Sequence, residues 1–216
     1  MLKHATLLLA IVYGTLSLSG CSSAYYSAME KVGIHKRDIM IDRVEEAKGA
    51  QEEAQQQFAS ALAQLSALIA FDGGDLASQY EATKDQYDAS KEAAENVSVR
   101  ISAIENVADA LFDEWSDEIA QYDSAKLKRQ SQLKFNETQR RYKKLISAMH
   151  KAESRMNPVL VALKDNTLYL KHNLNAQAIG ALQGEYNNIK EDIEVLIKEM
   201  NQAINQSQQF IELLTP

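Results

Sequence analysis

The heptad spacing of apolar and small residues constrains the fold of this chain more than any other feature. Such residues recur at alternating steps of four and three, and Gln51 is the one strongly polar residue in the first run. Four runs follow one another, at residues 40–68, 76–122, 135–170 and 182–214. Residues with this spacing form a stripe along a helix that packs against the stripes of other helices. The pattern predicts an all-α protein, an elongated antiparallel bundle or coiled coil of about four long helices.

The breaks between the runs indicate where the helices end. Gly73 and Gly74 permit a turn after the first run, and Asp75 can cap the next helix. The third run is shifted by one residue against the second, which indicates a break at Asp123–Ser124. Short connections make neighbouring helices antiparallel. We therefore expect one bundle over residues 38–216, with helices at about 38–71, 75–122, 125–172 and 176–214.

The composition supports a helical fold and excludes several classes of function. With 8 Gly and 2 Pro in 216 residues, the chain has too few turn residues for a β-rich fold. Pro158 lies inside the third run without changing its register, which favours a kink within one helix over a loop. The single cysteine excludes a disulfide framework and a thiolate-based zinc site. A net charge of −7 argues against general nucleic-acid binding.

Residues 1–20 have the features of a lipoprotein signal peptide. A short positive region precedes an apolar stretch that is too short to span a membrane. Leu18, Ser19 and Gly20 then precede Cys21, and this order resembles the bacterial lipobox, in which the cysteine receives acyl chains such as palmitate and becomes the mature N-terminus. The alternative is an ordinary signal peptide with a cysteine at this position by chance. We expect a lipid anchor at Cys21.

The residues after the cysteine bear on location. In lipoproteins with a lipobox, an aspartate directly after the cysteine is associated with retention in the inner membrane. Residue 22 is a serine instead, so the resemblance favours the outer membrane. Residues 21–37 contain tyrosines and basic residues suited to lipid headgroups, so we expect a short membrane-proximal helix. The alternative is that these residues cap the end of the bundle. No other segment is apolar enough to span a bilayer.

The charges of the second and third runs have opposite signs. Acids outnumber bases by twelve to three in residues 75–122, and bases outnumber acids by ten to two in residues 126–155. One interpretation is pairing between the two helices, at about 0.2–1 kcal/mol per exposed pair. The expected pairs are Glu114–Lys134, Asp109–Arg140 and Glu105–Lys143. The other interpretation is a binding site for an anionic glycan or lipid on helix 126–144. Its candidate residues are Lys134, Arg140, Arg141, Lys143 and Lys144.

Motifs for catalysis or metal binding are absent from the sequence. There is no Gly-rich phosphate loop, no nucleophile elbow and no Glu-x-x-His pair of the kind that holds iron in helical bundles. His150 and Glu153 lie one turn apart, a spacing that arises often by chance. We therefore expect no enzymatic activity, no metal and no cofactor.

Three polar features remain for the structure to explain. Glu118 and Asn166 fall on heptad positions, where buried polar groups sometimes fix the register between helices. The connection Lys171–Ala176 is polar and joins two helices, which is where recognition residues concentrate. The alternative is a turn that packs Leu170 and Leu174 between the helices.

Four stretches of the chain resemble a known family. They are Ser27–Asp38, Phe71–Leu76, Leu111–Trp115 and Leu168–Ala176. Together they resemble the domain-of-unknown-function 2959 family of Gram-negative bacterial lipoproteins, over nearly the whole mature chain. The resemblance implies a helical fold and supports the envelope location. It transfers no catalytic residues, because the family has no established activity.

The sequence therefore predicts a lipid-anchored structural or interaction protein of the cell envelope. It would face the periplasm and contact an envelope partner or its own copies, and nucleic acid is not among its expected partners. The alternative is a binding module that captures an anionic glycan or lipid through helix 126–144.

Overall fold

The computed structural model describes residues 21–71 and 73–215, and these are helical apart from short connections. The expected all-α fold class is confirmed, and the ends of the four long helices lie within two residues of those expected. Leu18, Ser19 and Gly20 lie outside the described residues. The helices are α1 (Cys21–Lys31), α2 (Lys36–Ile69), α3 (Leu76–Gln121), α4 (Ala125–His172) and α5 (Ala176–Leu214).

Side-chain caps begin three of the long helices. The Asp75 carboxylate accepts a hydrogen bond from the backbone N–H of Ala77 at 3.0 Å, and the Ser124 hydroxyl accepts one from that of Leu127 at 3.4 Å. Asn175 accepts two from the first turn of α5. Each cap satisfies backbone donors that a helix start leaves without a partner. The polar residues between the heptad runs therefore determine where the helices begin.

The four long helices form a closed ring. α2 packs against α3 and α5, and α4 packs against α3 and α5. Short connections make each helix antiparallel to its neighbours. The heptad positions face the centre, where the largest fully buried side chains include Met40, Phe58, Ile104, Leu145, Met149, Ile193 and Phe210. α4 continues through Pro158 as one helix, as the unbroken heptad register predicts.

The helices differ in length, so one end of the bundle is open. α2 has 34 residues and α4 has 48, or about 51 and 72 Å at about 1.5 Å per residue. The α3–α4 connection extends past the start of α2 and the end of α5, and we call residues 116–134 the projecting hairpin. Ile119 is buried there, whereas Leu127 and Leu133 are 51% and 61% exposed. Two helices here lack the cover that α2 and α5 provide elsewhere.

The polar heptad positions do not behave alike. Glu118 lies on the projecting hairpin and is exposed, so the expectation that it is buried and fixes register is wrong. Asn166 is 7% exposed, and its amide donates to the Ala162 carbonyl of its own helix at 2.7 Å. Gln51 is completely buried, and neither its Nε2 nor its Oε1 has a hydrogen-bond partner. A polar core position therefore remains unsatisfied in α2.

Candidate functional site

The helix that begins at Cys21 lies against the side of the bundle. α1 contacts α3, and Tyr26, which is 6% exposed, joins the main hydrophobic core. Tyr25 packs edge-on against Tyr26 with ring centroids 5.3 Å apart, and its hydroxyl lies beside Arg43 of α2. Because Arg43 is two turns inside α2, α1 runs back along the bundle after the turn at residues 32–35. Cys21 therefore begins a helix on the flank formed by α2 and α3. Within the described residues, no helix is long and apolar enough to cross a membrane.

Lys36 joins three helices at the base of α1. Its side chain is 10% exposed, and its Nζ contacts Glu30 of α1 and lies 2.8 Å from Oε1 of Glu114 on α3. Burial disfavours the charged ammonium, but the hydrogen bonds to Glu114 and Glu30 outweigh it and raise the pKa of Lys36. The hydrogen bond from Lys36 also lowers the pKa of Glu30. This charged cluster, which sequence reasoning missed, holds α1 in place.

None of the three expected pairs between α3 and α4 forms an ion pair among the described residues, although Glu114 and Lys134 line the same cavity. Glu114 pairs with Lys36, and Oε1 of Glu105 lies 2.9 Å from Nε2 of His150. The interhelical register places His150, two turns after Lys143, beside Glu105. Exposed pairs contribute too little energy to decide that register. Among the ion pairs of the described residues, none involves Lys134, Arg140, Arg141, Lys143 or Lys144.

Two of the predicted basic residues lie in a groove between α4 and α5. The groove has a volume of about 640 Å³. Lysines form one wall and side-chain amides form the other, so we call it the amide–lysine groove. Its lining consists of Lys143, Lys144, Ser147, Ala148 and Lys151 of α4, with Gln202, Asn205 and Gln206 of α5. Lys151 Nζ also lies 2.9 Å from Oε1 of Glu199, which holds this lysine against α5.

The groove is positively charged because its surroundings lack acids. Residues 138–152 of α4 contain no Asp or Glu, and residues 200–211 of α5 contain no charged residue at all. The α5 stretch instead contains six Asn and Gln residues. No acidic residue of the described chain lines the groove, and Glu199 is paired with Lys151 of its lining. The ammonium groups of Lys143 and Lys144 are therefore available to bind an anion.

The other predicted basic residues lie elsewhere. Arg140 and Arg141 are exposed on α4 and do not line the groove. Lys134 lines a separate cavity of about 270 Å³ at the open end of the bundle, together with Trp115 and Glu118. The structure thus brings together two of the five predicted residues. Lys151, Gln202, Asn205 and Gln206 were missed, although the uncharged, amide-rich stretch of α5 was visible in the sequence.

His150 bridges two carboxylates on the other side of α4. Its Nδ1 lies 2.9 Å from Glu153, and its Nε2 lies 2.9 Å from Glu105. Hydrogen bonds to Glu105 and then Glu153 stabilise the imidazolium and raise the pKa of His150. Across the part of the chain that the structure describes, no three His, Cys, Asp or Glu side chains form a group that could hold a metal ion.

The connection between α4 and α5 uses its polar groups locally. Asn175 caps α5, and the Asn173 amide donates to the Tyr169 carbonyl at 2.8 Å. Leu170 is fully buried, whereas Leu174 is 46% exposed. Leu174 lines a cavity of about 410 Å³ between the two connections at this end of the bundle. These contacts fit a capped turn that packs Leu170 better than a recognition site.

Comparison with known proteins gives a family match over most of the chain. A family model described as "Protein of unknown function (DUF2959)" matches residues 25–214. The chain belongs to the DUF2959 family. No curated protein and no solved structure matches it. The match confirms the resemblance seen in the sequence and extends from α1 to the end of α5. Because the DUF2959 description names no activity, the chain's own residues must carry the functional argument.

Proposed function

We propose that this protein is a lipid-anchored component of the cell envelope. Its elongated bundle would face the periplasm from the outer membrane and contact an envelope partner or other copies of itself. Its role is to hold and position rather than to catalyse. The observation that carries the proposal is the docking of α1, which begins at Cys21, the cysteine of the predicted lipobox, and is held on the bundle by Tyr26 and Lys36.

Because α1 is docked on the bundle, the anchor would fix the orientation of the whole bundle relative to the membrane. Each acyl methylene buried in a bilayer contributes about 0.8 kcal/mol, so several chains hold a protein at the membrane almost permanently. Because α1 lies along α2 and α3, the anchor would bring that flank close to the membrane. The opposite flank, formed by α4 and α5, would then face away from the lipid.

The anchor is tested by mass spectrometry of the N-terminus of the purified protein. We expect a chain that begins at Cys21 and carries the mass of acyl groups. The Cys21→Ala variant should remain unprocessed and acquire no lipid, while an alanine at the exposed Ser60 serves as the control and should be processed normally. A purified protein that begins at Met1 with an unmodified thiol would refute the proposal.

The interaction role is tested by crosslinking in intact cells. An amine-reactive reagent should produce crosslinked species larger than the monomer, because bases are abundant on the exposed surface of α4. Mass spectrometry of these species identifies either an envelope partner or a second copy. Recovery of the monomer alone, with the reagent attached to surface lysines, would contradict an interaction role.

A second candidate function is a module that binds an anionic glycan or lipid. The observation in its favour is the basic surface of α4, whose predicted residues have no acidic partner among the ion pairs of the described chain. Charge reversal of Arg140, Arg141, Lys143 and Lys144 to glutamate should abolish binding to anionic glycans and to anionic vesicles alike. Binding that survives the fourfold reversal would exclude this function.

A further inference from the structure

We propose that the amide–lysine groove is a binding site for an anionic glycan, in which lysines contact carboxylates and the amides of α5 contact hydroxyls. The proposal rests on the second candidate function and deepens it. It names the site, the additional residues and the ligand class. The groove has a volume of about 640 Å³ and is widely open to solvent, so a chain-like ligand could lie along it.

Two residues of the lysine wall, Lys143 and Lys144, have no acidic partner among the ion pairs of the described residues, whereas Lys151 is paired with Glu199. Lys143 and Lys144 are exposed and one turn away from Ser147 and Ala148, which form the floor on α4. An ammonium group is a compact charge with three donors on a flexible stem, and it can follow a carboxylate that is not held in one orientation. Lys151, held by Glu199 at 2.9 Å, closes one end of the groove.

The amide wall distinguishes a sugar from a simple anion. A side-chain amide offers two donors and an acceptor, which matches a hydroxyl group that both donates and accepts. Gln202 and Asn205 are exposed, and Gln206 is partly exposed. None of the three takes part in a hydrogen bond among the described residues. A ligand that carries hydroxyls as well as carboxylates would use both walls, whereas inorganic phosphate would use only the lysines.

The position of the groove favours a glycan over the headgroups of the anchoring membrane. The helix ring places α4 and α5 opposite α2 and α3, and α1 lies along the α2–α3 flank. The width of the bundle therefore separates the groove from the residue expected to carry the lipid. A polymer on the far side of the bundle can reach the groove, while the bilayer that holds Cys21 lies on the other side.

The test measures binding of the full chain, purified in a nonionic detergent, to a tetramer of galacturonic acid by titration calorimetry. Inorganic phosphate and phosphatidylglycerol vesicles are the comparison ligands. Two groove variants are used, Lys143→Glu with Lys144→Glu and Asn205→Ala with Gln206→Ala. The matched control is Lys164→Glu with Lys190→Glu, two exposed lysines of α4 and α5 that lie outside the groove and outside helix 126–144, so the charge change is the same.

We expect the groove lysine variant to lose tenfold or more in affinity for the tetramer, and the control to remain within about twofold. Each lost amide contact is worth about 1 kcal/mol or about fivefold, so the amide variant should lose at least fivefold for the tetramer and nothing for phosphate. Circular dichroism confirms that each variant is folded. Equal loss in the control, an amide variant with full affinity, or binding to vesicles but not to the tetramer would overturn the glycan proposal. These outcomes leave the N-terminal test of the anchor unaffected, so the two proposals fail separately.

Discussion

Replacement of Gln51 by leucine should stabilise the protein. Gln51 has no exposed surface, and both polar atoms of its side chain lack a hydrogen-bond partner. Its neighbours along the α2 stripe, Ala47 and Ala54, are also buried and apolar. A buried polar group without a partner costs about 1–3 kcal/mol relative to its state in water. Leucine is one bond shorter but similar in volume, and it removes this cost, so we expect the free energy of unfolding to rise by about 1–3 kcal/mol.

The assay is thermal and urea unfolding followed by the helical circular dichroism signal. For a protein of about 200 residues, 1 kcal/mol corresponds to a change in Tm of about 2–4 °C, so Gln51→Leu should raise Tm by about 2–12 °C. The matched control is Gln57→Leu on the same helix. Gln57 is partly buried, and its amide donates to Oε1 of Gln86 at 2.9 Å. The control loses a satisfied hydrogen bond, so its Tm should stay unchanged or fall.

A decrease in the stability of Gln51→Leu would refute this reasoning. It would mean that the amide has a partner inside the bundle, such as an ordered water, whose hydrogen bonds the leucine cannot replace. A Gln51→Leu variant that matches the gain of Gln57→Leu would also refute it, because the effect would then follow from apolarity on α2 alone rather than from the unsatisfied group.

Three further predictions concern contacts outside the groove. Hydrogen bonds to Glu105 and Glu153 raise the pKa of His150, so these contacts add stability below the unfolded-state pKa near pH 6.5, and this stability is lost as the pH rises through the folded-state pKa. His150→Gln should therefore lower the free energy of unfolding at pH 5.5 but not at pH 8.5, by less than about 1 kcal/mol because the pair is exposed, as measured by urea unfolding at the two pH values. Lys36→Met leaves the carboxylates of Glu30 and Glu114, where α1 contacts α3, without their cation, so limited proteolysis should release α1 faster. The control, Lys48→Met on the surface of α2, should not change the rate of release. Gly74→Ala should lower the free energy of unfolding by about 1 kcal/mol or more, because Gly74 has φ +129° and an added Cβ would lie 3.3 Å from Phe71. The control, Gly49→Ala, has open space around the added Cβ and should raise the free energy of unfolding. Both variants are measured by urea unfolding.

The fold was predictable because burial repeats with a fixed period along each helix. Phe58, Ile104 and Leu145 are fully buried at the positions that the heptads assign to them. The capping residues between the runs, such as Asp75 and Asn175, also begin the next helices where the sequence places the breaks. Both signals are local, since they depend on a few residues of one helix and not on how the helices meet.

The interhelical contacts were not predictable from the same sequence. Opposite charges on α3 and α4 suggested pairing of Glu105 with Lys143, but core packing sets the register and brings His150 to Glu105 instead. An exposed pair contributes at most about 1 kcal/mol, far less than the packing of one buried leucine against its neighbours. The amide wall of the groove was missed for a related reason. Neutral Gln and Asn residues on α5 leave no charge pattern to follow.

The direction of α1 connects the two proposals. The sequence allowed residues 21–37 either to form a short membrane-proximal helix or to cap the end of the bundle. The burial of Tyr26 and the Lys36 contacts show that α1 folds back along the flank instead of capping the end. A lipid at Cys21 would therefore hold the α2–α3 flank near the membrane. With such an anchor, the amide–lysine groove of α4 and α5 would face away from the membrane. A bundle that is anchored to the membrane on one side and binds an anionic polymer on the other would connect the polymer to the membrane. Such a holding role needs no catalytic centre.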